Sequence, residues 1–178
     1  MNNSQYFTVA FYNLENLFDT FNDRHTNDDD FLPTSEKRWT NKRYQKKLRK
    51  LGYAISNIGR KTTNYHPAIV GLAEVENKLV IDDLLDSKFL KDKNYSFVHY
   101  DSPDERGIDV AMIYDEDVFT EIASEVFPLD LYDEDGDRDY TRDILLVEGQ
   151  LNNETIFLIV NHWPSRREGQ EETEGARM

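Results

Sequence analysis

A layered α/β domain, α+β in arrangement, with a mixed β-sheet that carries helices on one face, is the fold class that these 178 residues predict. Three observations predict it. Apolar runs rich in β-formers alternate with helical patterns through the first half, in the order strand, helix, strand, helix. The last helical pattern ends by residue 90, and strand and loop patterns follow it to the end. Four of the apolar runs also meet a polar residue abruptly. Val9–Tyr12 ends in Asn13, Ala68–Ala73 ends in Glu74, Asp109 opens Val110–Tyr114, and Ile156–Val160 ends in Asn161-His162.

The elements follow in order. Tyr6–Tyr12 reads as a buried strand, and the Asn/Asp-rich stretch Leu14–Asp30 as a loop. Asp28-Asp29-Asp30 lacks the spaced acids and the glycine of a calcium loop. Asn41–Ile58 is the best helix, because Tyr44, Leu48, Leu51, Ile55 and Ile58 recur at spacings of three and four. Thr40 or Asn41 can cap it and Gly59 can end it. Lys37–Lys50 holds eight Lys/Arg and no acid, which makes it either a contact for phosphate backbones or the solvated face of this helix. Pro67–Ala73 is a near-continuous apolar run, as in a strand covered on both faces. Val80–Leu90 reads as a second helix. Tyr95–Tyr100, Val110–Tyr114, Ile122–Phe127, Ile144–Glu148 and Thr155–Val160 read as strands, and Pro164 stops the last one. Leu129–Asp139 is an acidic loop, and Glu168–Arg177 a polar tail expected to be mobile.

Bulk composition narrows the function classes. The length suits one domain, and ten Phe and ten Tyr can fill a core despite an apolar share of 38%. With no cysteine, disulfides and thiolate metal sites are excluded. No apolar run approaches the ~18 residues of a membrane-spanning helix. The first residues do not read as a signal peptide, so a cytoplasmic protein or an exported one with its signal removed are both compatible. A net charge of −14 argues against a nucleic-acid binder that works through its overall field, though not against a locally positive cleft.

The polar residues at strand ends suit metal-assisted phosphoester chemistry. Such a reaction needs a divalent cation to neutralise the phosphate, a base for water, and donors for the nonbridging oxygens. Asn13, Glu74, Asp109, Arg142 and His162 supply those chemical types. Their neighbours sharpen the reading. Asn13-Leu14-Glu15-Asn16-Leu17-Phe18, Gly71-Leu72-Ala73-Glu74-Val75-Glu76-Asn77, Arg106-Gly107-Ile108-Asp109-Val110-Ala111, Thr141-Arg142 and Asn161-His162-Trp163-Pro164-Ser165-Arg166 occur in this order. The set resembles the endonuclease/exonuclease/phosphatase superfamily, the fold of pancreatic deoxyribonuclease. The Glu74 and Asn161-His162 segments are the most specific.

The resemblance implies roles. Glu74 would be a ligand for Mg²⁺ or Mn²⁺, and Asn13 would order both metal and scissile phosphate. His162 would hydrogen-bond the phosphate or act as a general acid. Asp109 would orient or charge that imidazole, raising its pKa. Arg142 would lie against a nonbridging oxygen, with Asn161 and Arg166 as weaker supporting contacts. Glu76 is expected to be structural or to lie on the rim. The substrate would be a phosphoester of nucleic acid, phospholipid or small-molecule type.

The chain departs from the family in its second half. The Gly-Asp-x-Asn and Ser-Asp-His motifs of active members do not occur in it. Gly136-Asp137-Arg138-Asp139 precedes the His162 strand instead of following it, and has Asp where Asn belongs. Residues 1–178 are therefore expected to be an incomplete domain, the first half of a four-layer fold. Its second sheet and remaining catalytic groups would come from further sequence or another chain, and these residues alone would have little or no hydrolytic activity. A binding module that keeps the fold without catalysis is the competing expectation.

Overall fold

The computed structural model describes residues 6–132 and 136–163; Arg166 and the 168–177 tail lie outside them. Strand β1 (Val9–Leu17) leads through a 3-10 turn at Asp29–Phe31 to helix α1 (Asn41–Asn57) and the single turn α2 (Arg60–Thr63). Then come β2 (Ile69–Val75), α3 (Lys78–Leu85), β3 (Tyr95–His99) and β4 (Asp109–Asp115). These four strands form a mixed sheet in the order β1-β2-β4-β3, with β1 and β2 parallel and the other pairs antiparallel.

The helix α1 buries the periodic stripe Tyr44, Leu48, Leu51 and Ile55 against Val70, Leu72 and Ile113 of the sheet and against Val80, Ile81 and Leu84 of α3. Its end is set by Gly59, whose left-handed φ of 70° and close approach to Thr8 leave no room for a Cβ. The second helix is shorter than its sequence pattern, beginning at Lys78 and ending at Leu85. Its cap is Asn77, whose side chain accepts from Val80 N–H at 3.1 Å while its amide donates to Asp19. Asn77→Ala is expected to lower stability by about 1 kcal/mol, read as a shift of the urea midpoint.

The strands after α3 do not extend the first sheet. Instead β5 (Phe119–Phe127), β8 (Ile144–Leu151) and β9 (Glu154–Val160) form a second, antiparallel sheet in the order β5-β8-β9. Between β5 and β8 lies the small hairpin β6 (Leu131–Tyr132) and β7 (Arg138–Asp139), within the stretch expected to be a loop. Ile69, Val110, Met112 and Tyr114 of the first sheet pack on Phe119, Leu145, Val147 and Val160 of the second. The layers are therefore helices, mixed sheet and antiparallel sheet. This corrects the expectation that the second sheet would come wholly from outside these residues, because three strands of this chain already begin it. The physical reason is the alternation of β8 and β9. Leu145, Val147, Ile156, Leu158 and Val160 point inward at every second position, and they find the otherwise bare face of the first sheet. What stays uncovered is the outer face of the second sheet, where Phe157 and Ile159 are 64% and 66% exposed.

One further expectation changes. β1 runs past Asn13 to Leu17, through residues that read as loop, because Leu14 and Leu17 are fully buried while Glu15 and Asn16 take left-handed φ values of 54° and 61°. Asp28, Asp29 and Asp30 do not converge on one point. Asp28 is buried and accepts from Asp23 N–H, Asp29 faces Asn22, and Asp30 pairs with Lys37 at 2.8 Å. Among the described residues no helix is long and apolar enough to cross a membrane.

Candidate active site

The site is built at the end of β2, where the regular ladder breaks. Glu74 has a left-handed φ of 62°, and both neighbouring ladders shift register beside it, from Asn13↔Ala73 to Leu17↔Val75 and from Ala73↔Val110 to Val75↔Asp109. A bulge of this kind re-aims one side chain out of the strand's alternation. The matching kink in β1 at Glu15 and Asn16 is pinned by Lys47, whose Nζ donates to both of their carbonyls, at 2.5 and 2.8 Å. Burial draws the Lys47 pKa down to about 8. One member of the basic run thus braces the turn beside Glu74. Lys42, Lys46, Arg49 and Lys50 lie on the exposed side of α1.

Three groups surround the Glu74 carboxylate. Asn13 Nδ2 donates to Oε1 at 3.1 Å, Asn16 N–H donates to Oε2 at 2.7 Å, and His162 Nε2 stands 3.6 Å from Oε1. Asn13 turns its amide nitrogen toward the carboxylate, and its own oxygen accepts from Glu15 N–H at 2.7 Å. Its position is that of a brace for Glu74. The structure thus brings Asn13, Glu74 and His162 together from β1, β2 and the end of β9, segments up to 149 positions apart in a chain of 178.

Asp109 and Arg142 are placed differently from the sequence expectation. The register Val75↔Asp109 sets Asp109 beside β3, where its Oδ2 meets His99 Nε2 at 3.0 Å. Its Oδ1 accepts from Ser102 N–H at 3.0 Å and Ser102 Oγ at 2.5 Å. The histidine it serves is His99, not His162. Consistently, the His162 pKa lies below the ordinary value instead of above it. Burial penalises the charged ring first, the positive Arg142 adds to this, and Glu74 opposes it.

Arg142 is buried. Its Nη1 donates to Asp104 Oδ2 at 2.8 Å and to Thr141 Oγ1 at 3.0 Å, and its Nε donates to the His162 carbonyl at 3.0 Å. It holds the His162 backbone in place. The cation at the open side is Arg106, exposed, with Nη2 on Asn16 Oδ1 at 2.5 Å. In the sequence Arg106 opens the Arg106–Ala111 motif and carries no role of its own. Its signal was the position three residues before Asp109, in the turn that leads into β4.

Glu76 lies close in sequence but serves another purpose. Its Oε2 accepts from Asp19 N–H at 2.6 Å and anchors the chain that leaves β1. Burial, followed by the like charges of Asp19, Asp28 and Asp23, pushes its pKa up to about 8, against the pull of that hydrogen bond. The folded state therefore keeps a proton that the unfolded chain releases near 4.5. Stability from this group is full below about 4.5 and is lost as pH rises toward about 8. Glu76→Gln is expected to flatten that slope, which for one proton cannot exceed about 1.4 kcal/mol per pH unit. Urea midpoints of both proteins at pH 5 and pH 8.5 check this.

The profile described as Endonuclease/Exonuclease/phosphatase family matches residues 8–178. Among solved structures the chain is similar to a D. rerio TDP2 humanized by 14 mutations, with 14% identity, 92% of this chain and 50% of that chain covered, and a TM-score of 0.54. It is similar to a functionally unknown conserved protein from Enterococcus faecalis V583, with 14% identity, 87% and 52% covered, and a TM-score of 0.50. It is also similar to an endonuclease/exonuclease/phosphatase from Bacteroides vulgatus, with 16% identity, 86% and 51% covered, and a TM-score of 0.49. The chain spans about half the length of each of these. No curated protein sequence matches it. The profile covers nearly the whole chain and the layered fold agrees with it, so the chain belongs to the endonuclease/exonuclease/phosphatase family.

Proposed function

We propose that these residues carry the first half of the active site of a divalent-metal-dependent phosphoesterase. The reaction would be attack of water on a phosphodiester or phosphomonoester without a covalent enzyme intermediate. The observation that carries the reading is the Glu74 carboxylate at a strand bulge, braced by Asn13 and the Asn16 N–H, with His162 Nε2 at 3.6 Å. Its hard oxygens suit Mg²⁺ or Mn²⁺. Such a cation, held by Glu74, would neutralise charge on the phosphate. Asn13 and Asn16 keep the carboxylate in one orientation. His162, with its pKa held below the ordinary value, is neutral near pH 7 and offers a ring N–H to a phosphate oxygen. Its orientation comes from the grip of Arg142 on its carbonyl. Arg106, exposed beside Asn16, takes the role of phosphate contact.

Groups from outside residues 1–178, in a longer chain or a second one, would complete the site. Coverage of only about half of the similar structures supports this, as do the bare Phe157 and Ile159 on the outer sheet face. The test uses the full-length protein with Mg²⁺ or Mn²⁺ on plasmid DNA, RNA, sphingomyelin and small phosphodiesters. Turnover that chelation abolishes is expected on at least one of them, with little or none from residues 1–178 alone. Binding without turnover across the panel would favour a noncatalytic module, and turnover by residues 1–178 equal to that of the full-length protein would refute the half-site reading.

A further inference from the structure

The ends of β3 and β4 hold a second group of ligand-type side chains that the proposed phosphoester chemistry leaves unused. One ligand atom from each of His99, Asp101 and Asp109 lies within 4.8 Å of the other two. The His99 side chain is wholly buried, yet its Nδ1 has no hydrogen-bond partner among the described residues. Its other nitrogen, Nε2, is 3.0 Å from Asp109 Oδ2. Asp109 is itself buried and held on its second oxygen by Ser102. A carboxylate in that position accepts a hydrogen bond from Nε2–H, which selects that tautomer and leaves a lone pair on Nδ1.

That is the arrangement of a metal-binding imidazole backed by a carboxylate, in which the carboxylate fixes the ring and raises its basicity. The Nδ1 atom faces Asp101 Oδ1 at 3.9 Å, too far for a hydrogen bond. Two donors each about 2.1 Å from a tetrahedral cation stand roughly 3.4 Å apart, so a turn of the exposed Asp101 side chain that closes the gap by about half an ångström seats a shared cation. Asp101 is 82% exposed and stands on the solvent side of the buried ring. Negative charge is in excess here. Asp143 Oδ1 is also buried without a partner, and burial together with the Asp109 charge raises its pKa.

We propose that His99 Nδ1 and the Asp101 carboxylate bind a divalent transition-metal cation, Zn²⁺, with Asp109 as the group behind the ring and water in the remaining positions. An imidazole nitrogen in the set favours this ion over Mg²⁺ and Ca²⁺, which prefer oxygen alone. The set shares no residue with Asn13, Glu74 and His162, so it stands or falls independently of the phosphoesterase reading.

The test titrates ZnCl₂ into the Glu74→Gln protein, in which the phosphoester site is disabled, and reads calorimetric heat, the unfolding midpoint and the ¹⁵N shift of His99 Nδ1. The expected result is one bound Zn²⁺ per chain, a raised midpoint, a displaced His99 Nδ1 resonance, and MgCl₂ at least tenfold weaker. Adding Asp101→Asn, a substitution at an exposed side chain that leaves the fold intact, should weaken Zn²⁺ at least tenfold. The proposal is overturned if Glu74→Gln protein takes up no Zn²⁺, if Asp101→Asn leaves the affinity unchanged, or if the His99 Nδ1 resonance does not move.

Discussion

Replacing Arg142 by alanine is expected to cost about 3–5 kcal/mol of folding stability. The Arg142 side chain is 10% exposed and that of its partner Asp104 4%, so truncation leaves a buried anion without its cation. It also removes the hydrogen bond to the His162 carbonyl and the one to Thr141. The measurement is the denaturant midpoint and slope, and a loss below about 1 kcal/mol would show that Arg142 does not hold the His162 backbone and Asp104 together. A second substitution separates the charge from the packing. In Asp104→Asn/Arg142→Ala protein the stranded anion is gone, and a substantial part of the stability should return. Arg106→Ala, at an exposed position, should leave stability within about 0.5 kcal/mol of wild type. It should lower turnover of the full-length protein, where Arg106 is proposed to contact phosphate.

Glu74→Gln is the second large effect, and it falls on activity. Glutamine keeps the shape of glutamate but removes the charge that attracts a cation, and its amide cannot accept from both Asn13 and the Asn16 N–H as the carboxylate does. Turnover of the full-length protein is expected to fall on the order of 10³-fold, with kcat carrying most of the loss. His162→Ala should cost ~10²- to 10⁴-fold. Because the His162 pKa lies below the ordinary value, its neutral form should persist through pH 7, and activity should fall only as pH drops below the ordinary histidine range. Unchanged rates in both variants would refute the site.

Much of this was legible in the residues. The stripe Tyr44, Leu48, Leu51 and Ile55 marked α1 within a residue of its observed end, because a 3.6-residue period is a local property. The run at Pro67–Ala73 marked a strand covered on both faces, and the packing of Val70 and Leu72 against helices with Ile69 against the second sheet agrees. The polar residues that interrupt these runs marked where chemistry gathers. Leu14–Leu17 was not legible as strand, because its two leucines are separated by polar residues whose left-handed turn depends on pairing with Val75.

By itself the sequence determined the layered class, the face that α1 buries, and the family, since these rest on local periodicity and on motifs a few residues long; Tyr6–Tyr12, read as a buried strand, exposes Val9 and Phe11. Tertiary structure alone decided which charge meets which. Asp109 serves His99, Arg142 lies on Asp104, and His162 stands across from Glu74, each partner chosen by sheet register and by one bulge at Glu74. The physical reason is that an ionisable side chain pairs with whatever the fold brings within about 4 Å. A one-residue shift in register moves every side chain of a strand to its other face.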